Sequence, residues 1–319
     1  MGEIGGYIEL EHYHGKMLHE DGLKLNCGRN CLKYLIEARA IKEICLPALI
    51  CDSVIGACRE AGTQIRFYPV KEDFRPVLDH VPHDAWVYVV SYYGQYTPEE
   101  TAVIQQRFPH MILDLAQAYF DPPAQNCDTL YTCRKFFGVP DGGILYTDAA
   151  YTAELPQEPS YMHMAHLLGR FECGGSAYYR QSVENNLRMK TLPVGRMSGL
   201  TENLLRSIDY GSVKIRRTKN YAYLAKALSA QNSLSLQDTE GAFAYPFYTE
   251  YAAELRKYLQ QKQIYIPTLW PNVLETEDPA SPAYRLAANV LPLPCDQRYT
   301  EKEMAVMADE IISFLKNAH

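Results

Sequence analysis

Between Leu25 and Asp148 the chain repeats one unit, a short apolar run followed by a helical pattern, and this repetition restricts the fold more than any other feature. The segment "CLKYLIEARA" carries Leu32, Leu35 and Ile36 at helical spacing. "EICLPAL" is a short apolar run containing a proline. "DSVIGACREAG" follows as a helix, with Asp52 as a candidate N-cap and Gly62 as its stop. "TQIRFYPV" reads as a strand, and "AWVYVVSYY" is apolar throughout, as a central parallel strand covered on both faces would be. In "TPEETAVIQQRF", Thr97, Pro98 and Glu100 spell a capping box with proline at the first helical position. The strands "MILDL" and "GGILYTD" come next. Repeated strand–helix units predict an α/β fold, with a mostly parallel central sheet and helices on its faces.

Beyond this region the pattern changes. Residues from Glu154 to Thr218 look helical and irregular, and "TKNYAYLAKALSAQ" reads as one long helix. "AFAYPFY" and "IYIPTLW" are strand-like, "TEYAAELRKYLQQKQ" is helical and "VLPLPCD" is extended. "TEKEMAVMADEIISFLKNA" is a capped terminal helix with Met304, Met307, Ile311 and Phe314/Leu315 on one face. The expected organisation is an N-terminal arm and large domain over residues 1–210, then a small α+β domain over residues 211–319.

With 319 residues the chain exceeds what one small core organises, and 47% hydrophobic against 22% charged residues describes a packed protein. A net charge of −7 argues against nucleic-acid binding, which runs on Lys and Arg. No apolar run approaches the ~20 residues that span a bilayer, and the first residues lack a basic stretch followed by an apolar core. The nine cysteines show no zinc-finger spacing and read as reduced thiols of a cytoplasmic protein.

In an open α/β sheet, ligands bind beyond the carboxyl ends of the strands. Asp114 stands near the end of "MILDL" and Lys135 lies in the loop before "GGILYTD", so both are expected at one crevice. A lysine there can form a Schiff base, and a buried acid can hold a ring nitrogen protonated. Pyridoxal phosphate (PLP) chemistry uses that pair. The phosphate needs an anchor, and "LNCGRNCLKYL" offers a turn at Gly28 followed by a helix whose first N–H groups, on Arg29 and Asn30, suit an anion. Each residue also has an ordinary reading: a surface lysine, a strand-end cap, a plain helix start.

Five segments occur in order: "NCGRNCL" at Asn26–Leu32, "SYYGQ" at Ser91–Gln95, "DLAQA" at Asp114–Ala118, Lys135 followed by Asp141, Gly142 and Gly143, and "RMSGLTENLL" at Arg196–Leu205. In that order they resemble the DegT/DnrJ/EryC1/StrS family of sugar aminotransferases, which have the type I fold of PLP-dependent transferases. The family's segments read N-S-G-T-A-A-L, H-x-Y-G-Q, D-x-A-Q/H-A, a lysine with paired glycines seven and eight residues on, and R-M-x-E-x-x-A. The resemblance covers most of residues 5–225.

The resemblance implies roles. Lys135 would be the Schiff-base lysine and the acid/base of the proton shift, and Asp114 would bind the pyridine nitrogen. Gln117 would lie beside the ring or its phenolic oxygen. Gly28, Arg29 and Asn30 would hold the phosphate, and Thr132 would take the place of a serine hydroxyl before the lysine. The implied activity is amino transfer, from glutamate, to a keto sugar attached to a nucleotide, in polysaccharide or secondary-metabolite synthesis by a homodimer. The position that stacks an aromatic on the ring falls on Cys51, which is small, and the segment from Asp114 to Lys135 is shorter than in the family. These departures keep two alternatives open, another PLP-dependent lyase or dehydratase and a non-catalytic PLP-fold binding protein. The family's dehydratases replace the lysine with histidine, which Lys135 argues against. A Rossmann oxidoreductase is poorly supported, since no G-x-G-x-x-G follows the first strand.

Outside these segments, Arg298 is a candidate for a substrate carboxylate or a partner for Asp296, and Trp270 packs the small domain or lines the substrate entrance. The pairs His12/His14 and His163/His166 read as surface or interface histidines, and no metal is expected.

Overall fold

The computed structural model describes residues 4–318. Its first half contains β1 (Leu23–Leu25), α1 (Gly28–Ala38), β2 (Glu43–Pro47), α2 (Asp52–Glu60), β3 (Gln64–Tyr68), β4 (Val87–Val90), α3 (Pro98–Arg107), β5 (Met111–Asp114), β6 (Asp128–Thr132) and β7 (Gly143–Tyr146). These strands form one seven-stranded sheet in the order β1-β7-β6-β5-β4-β2-β3. From β3 to β6 every pairing is parallel, as the alternating pattern predicts. The strand "GGILYTD" departs from this, because β7 runs antiparallel to both β6 and β1. Only a short 3-10 turn and loop separate β6 from β7, too little chain for a parallel crossover.

Local chemistry explains the elements. All four residues of β4 are buried, which is why the strand reads as apolar rather than alternating. α3 opens on the expected capping box: Thr97 Oγ1 accepts from Glu100 N at 3.1 Å, and Glu100 Oε2 accepts from Thr97 N at 2.9 Å. At α2 the expectation is one residue off, for Cys51 is the N-cap and Asp52 is the first helical residue. There Asp52 still complements the positive end of the helix.

The second half contains α4 (Ala165–Cys173), α5 (Tyr179–Thr191), α6 (Gly199–Leu205), α7 (Tyr210–Leu228), β8 (Tyr245–Tyr248), α8 (Ala252–Gln261), α9 (Val273–Thr276), α10 (Pro282–Asn289), β9 (Val290–Leu293) and α11 (Glu301–Ala318). β8 and β9 form an antiparallel pair. The segment "IYIPTLW" is not a strand: Pro267 has no N–H for a ladder, and residues 264–268 pair with no strand. One buried apolar cluster surrounds the large sheet and takes in Trp270, Val273 and Leu286 from late in the chain. A second joins α7, β8, α8, β9 and α11. Met304, Met307, Ile311 and Leu315 are its α11 contribution, each worth about 1.5–3 kcal/mol of burial.

Candidate active site

The parallel register puts Asp114 at the carboxyl end of β5, opposite Val90 of β4 and Leu130 of β6. Its side chain is buried. Oδ1 accepts from Ala116 N at 2.7 Å, and Oδ2 accepts from the hydroxyl of Tyr88 at 2.7 Å. Burial raises the Asp114 carboxyl above the usual carboxylate range, against the opposing influence of the Lys135 charge and the two hydrogen bonds. The Lys135 charge is thus near enough to favour the ionised Asp114.

Lys135 ends a 3-10 turn, Cys133–Lys135, that leaves β6. Cys133 enters the core, while Lys135 is exposed, with Nζ 5.6 Å from the centre of the Phe243 ring. Among the described residues no carboxylate lies within ion-pair distance of Lys135. Its ammonium is therefore available to a ligand.

The lysine loop is held against the start of α1 by a close backbone contact. A Cβ on Gly143 would fall 2.5 Å from the carbonyl carbon of Cys27 and 2.7 Å from Gly28 N, so only glycine fits. The N–H of Gly142, at φ 115°, donates to Asn26 O at 2.7 Å. Thr132 packs beside Gly28: a Cβ there would lie 3.6 Å from Thr132 Oγ1. Asp141 completes the clamp from below. Buried, it accepts from Ser198 N at 3.1 Å and Ser198 Oγ at 3.0 Å, and from Thr201 Oγ1, which fixes the start of α6.

The Ser91–Gln95 turn closes another side. Tyr93 takes a φ of 55°, and its N–H donates to Gln117 Oε1 at 2.8 Å, which fixes that buried amide. Gln95 donates to Thr239 Oγ1 and accepts from Gln237 N, both at 2.8 Å, tying the turn to the chain before β8.

No family model matches the chain, and no curated protein matches it in sequence. Solved structures do match it. A DegT DnrJ EryC1 StrS aminotransferase from Brucella abortus is 14% identical, with a TM-score of 0.65 over 92% of this chain and 85% of its own. DesV of S. venezuelae, solved with a ketimine intermediate, is 18% identical, with a TM-score of 0.66 over 92% of this chain and 84% of its own. DesI, solved in the presence of its TDP-sugar product, is 16% identical, with a TM-score of 0.64 over 91% of this chain and 79% of its own. The chain has the fold of the DegT DnrJ EryC1 StrS aminotransferases.

Within this aminotransferase fold the chain has features of its own. The Arg29 side chain turns away from the start of α1, donating to Glu60 Oε1 at 3.1 Å and Lys190 O at 2.7 Å. The Asn30 amide nitrogen donates to Asn26 Oδ1 and Pro193 O, its Oδ1 is buried without a partner among the described residues, and its N–H already donates to Cys27 O at 3.1 Å. At the start of α1, therefore, the backbone N–H groups of Gly28 and Arg29 remain for an anion. Cys51 Sγ sits 2.8 Å from Ser53 Oγ and offers no ring surface. Arg298 is held by Asp296 through two bonds of 2.7 and 2.8 Å, the second of its two expected arrangements. Trp270 packs edge-on against Tyr92 and Tyr93.

Tyr88 and Phe243 border the candidate site, and the sequence alone does not reveal them; Asp141 is in the segment the sequence singles out, but its bonds to α6 are not legible there. Tyr88 has one signal, a polar tip inside an otherwise aliphatic strand, which becomes legible only with the β4–β5 register. Several buried polar atoms of the neighbourhood have no partner among the described residues, among them Ser91 Oγ, next to the residue opposite Asp114, and Nε of Arg134, next to Lys135. The buried acid, the exposed lysine, the glycine-lined helix start and these open donors fit PLP.

Proposed function

We propose that this chain is a PLP-dependent aminotransferase of the DegT/DnrJ/EryC1/StrS family, acting on a keto sugar carried by a nucleotide with glutamate as amino donor. The observation that carries this reading is the buried Asp114 at the carboxyl end of β5, whose carboxyl feels the charge of Lys135 on the turn that leaves β6. When bound, PLP supplies an electron sink that stabilises negative charge at the carbon being deprotonated.

The chain's own residues would do the rest. Asp114 would hold the pyridine nitrogen, with Tyr88 and Ala116 N fixing its carboxylate. Lys135 Nζ would bind the cofactor carbonyl and, once released, move a proton between the donor carbon and the cofactor. The N–H groups of Gly28 and Arg29, with Thr132 Oγ1, would hold the phosphate. Gln117 would lie beside the ring, and Phe243 would cover the approach to Lys135. Asn30 would act as a brace for the turn and not as a direct ligand.

An exposed lysine at a site of this kind calls for a second wall, and a second copy of the chain is our reading of it. The apolar surface of α4 and α5 supports a homodimer: Phe171 is 90% exposed, and Leu168, Val183 and Leu187 are open as well. Among the described residues no helix is long and apolar enough to cross a membrane, which is compatible with work in the cytoplasm.

The test is a half-reaction. Protein loaded with PLP and given glutamate alone should release about one equivalent of 2-oxoglutarate per site, with no sugar present, as ping-pong chemistry requires. Release only in the presence of a sugar acceptor, or none at all, would overturn the reading.

A further inference from the structure

Arg217 lies on α7 and is 1% exposed, one of the largest side chains that the fold buries completely. Among the described residues no carboxylate lies within ion-pair distance of it. A buried charge is costly unless it is paired or well hydrogen-bonded, and neutral oxygens hold this one. Nη2 donates to Phe136 O at 3.1 Å, Nη1 to Ala242 O at 2.8 Å and Nε to Gln297 Oε1 at 2.7 Å. Gln297 Nε2 in turn donates to Phe136 O at 2.7 Å, so that carbonyl is held twice. The Arg217 Cζ also stands 4.6 Å from the centre of the Phe136 ring.

The places of these acceptors give the arginine its meaning. Phe136 follows Lys135, and Ala242 precedes Phe243. Lys135 and Phe243 are the two sides of one contact, in which Nζ stands over the ring at 5.6 Å from its centre. One guanidinium thus holds the backbone beside the lysine and the backbone beside the ring that covers it. The Phe136 ring adds a second link, 6.1 Å from the Phe243 ring. Phe136 belongs to the apolar cluster of the large sheet and Ala242 to the second cluster, so neither core alone sets the distance between the two segments. A planar fork reaches three diverging acceptors at once, which an ammonium on a flexible stem does not. An apolar side chain of similar size would fill the space with less desolvation cost, so what the arginine adds is alignment.

We propose that Arg217 is a positioning residue of the Lys135 site, holding the Phe243 ring over the Lys135 ammonium and so fixing where Nζ stands. There the face of the ring attracts the ammonium and narrows the directions open to it. What this alignment does for catalysis rests on the PLP reading; the alignment itself does not.

The test is NMR of the full chain after reductive methylation of its lysines with carbon-13 formaldehyde, which keeps their charge and adds reporter methyls. The Lys135 signal, identified by its absence from Lys135→Ala, should lie upfield of an exposed lysine's because of the ring, and Phe243→Leu should abolish that displacement. Arg217→Gln and Gln297→Ala should each lose most of it, and Arg217→Lys, which keeps the charge but not the fork, should not restore it. Gln297→Ala is the milder change and carries the test if Arg217→Gln does not fold. A merely structural arginine would lower the melting point of the variants and leave the signal of the folded protein displaced as in the wild type. That result, or no displacement in the wild type, would overturn the proposal. With PLP added to unmethylated protein, the same variants should form the Lys135-dependent yellow band several-fold more slowly. Absence of that band from the wild type would sink the PLP reading and leave the methyl result standing.

Discussion

The hydroxyl of Tyr88 donates to Oδ2 of Asp114 at 2.7 Å, between two side chains that are both buried. The bond exists because β4 and β5 are parallel with Val90 opposite Asp114, which sets Tyr88 two residues earlier on the same face. Burial works against the ionised acid, and the tyrosine opposes that penalty. Tyr88→Phe removes a hydrogen bond to a charged group and should cost about 1.5–3 kcal/mol of stability at neutral pH. Urea unfolding of the two proteins measures the difference, and equal midpoints would contradict the assignment.

The approach of Gly143 to the Cys27–Gly28 backbone holds the lysine loop onto the start of α1. Gly143→Ala forces backbone atoms apart and should destabilise the protein by more than about 2 kcal/mol, the range of strained or overpacked substitutions. Gly138→Ala is the control, because a Cβ there meets nothing within 4 Å. Thermal melts should separate the two variants clearly; similar melting points would mean the contact is not tight.

Asp141 anchors α6 through Ser198 and Thr201, whose backbone and hydroxyl groups converge on one carboxylate. Asp141→Ala strands these donors in a buried place, and a loss on the order of 3 kcal/mol is expected. Hydrogen exchange should rise first at the α6 amides. Unchanged protection there would show that the anchor is dispensable.

These relationships also show what was legible in the sequence. The parallel strands were, because strands covered on both faces must be apolar along their length. The nearness of Asp114 and Lys135 was too, because an acid at a strand end and a lysine in the loop before paired glycines are expected at the same edge of such a sheet. β6 was not recognised, since "DTLYT" is half polar and only its neighbours make it a strand. The direction of Arg29 was illegible too, because Glu60, 31 residues away, decides it.

His19 gives a pH dependence. It is buried, stacked 4.0 Å from the Tyr131 ring, with Nε2 2.8 Å from Tyr119 O and Nδ1 3.3 Å from the Tyr146 hydroxyl. Burial lowers its pKa below 6.5, despite the bond to Tyr119 O. The unfolded chain therefore binds the proton more readily, and stability is lost as pH falls from 6.5 towards the folded value. Unfolding free energies measured between about pH 5 and 7 should fall on the acid side, and His19→Gln should flatten the part of the slope that His19 contributes. An identical slope in the variant would contradict this.

The central claim is that Lys135 bonds covalently to PLP under the control of Asp114. The most direct measurement is borohydride reduction of the PLP-treated protein followed by peptide mass mapping, with the visible spectrum recorded beforehand. The account predicts a yellow band, reduction that fixes the cofactor to the peptide holding Lys135, and no such band in Lys135→Ala. In Asp114→Asn the band should persist while the bleaching by glutamate is lost or greatly slowed. Cofactor fixed to other lysines, or a band unchanged in Lys135→Ala, would contradict it.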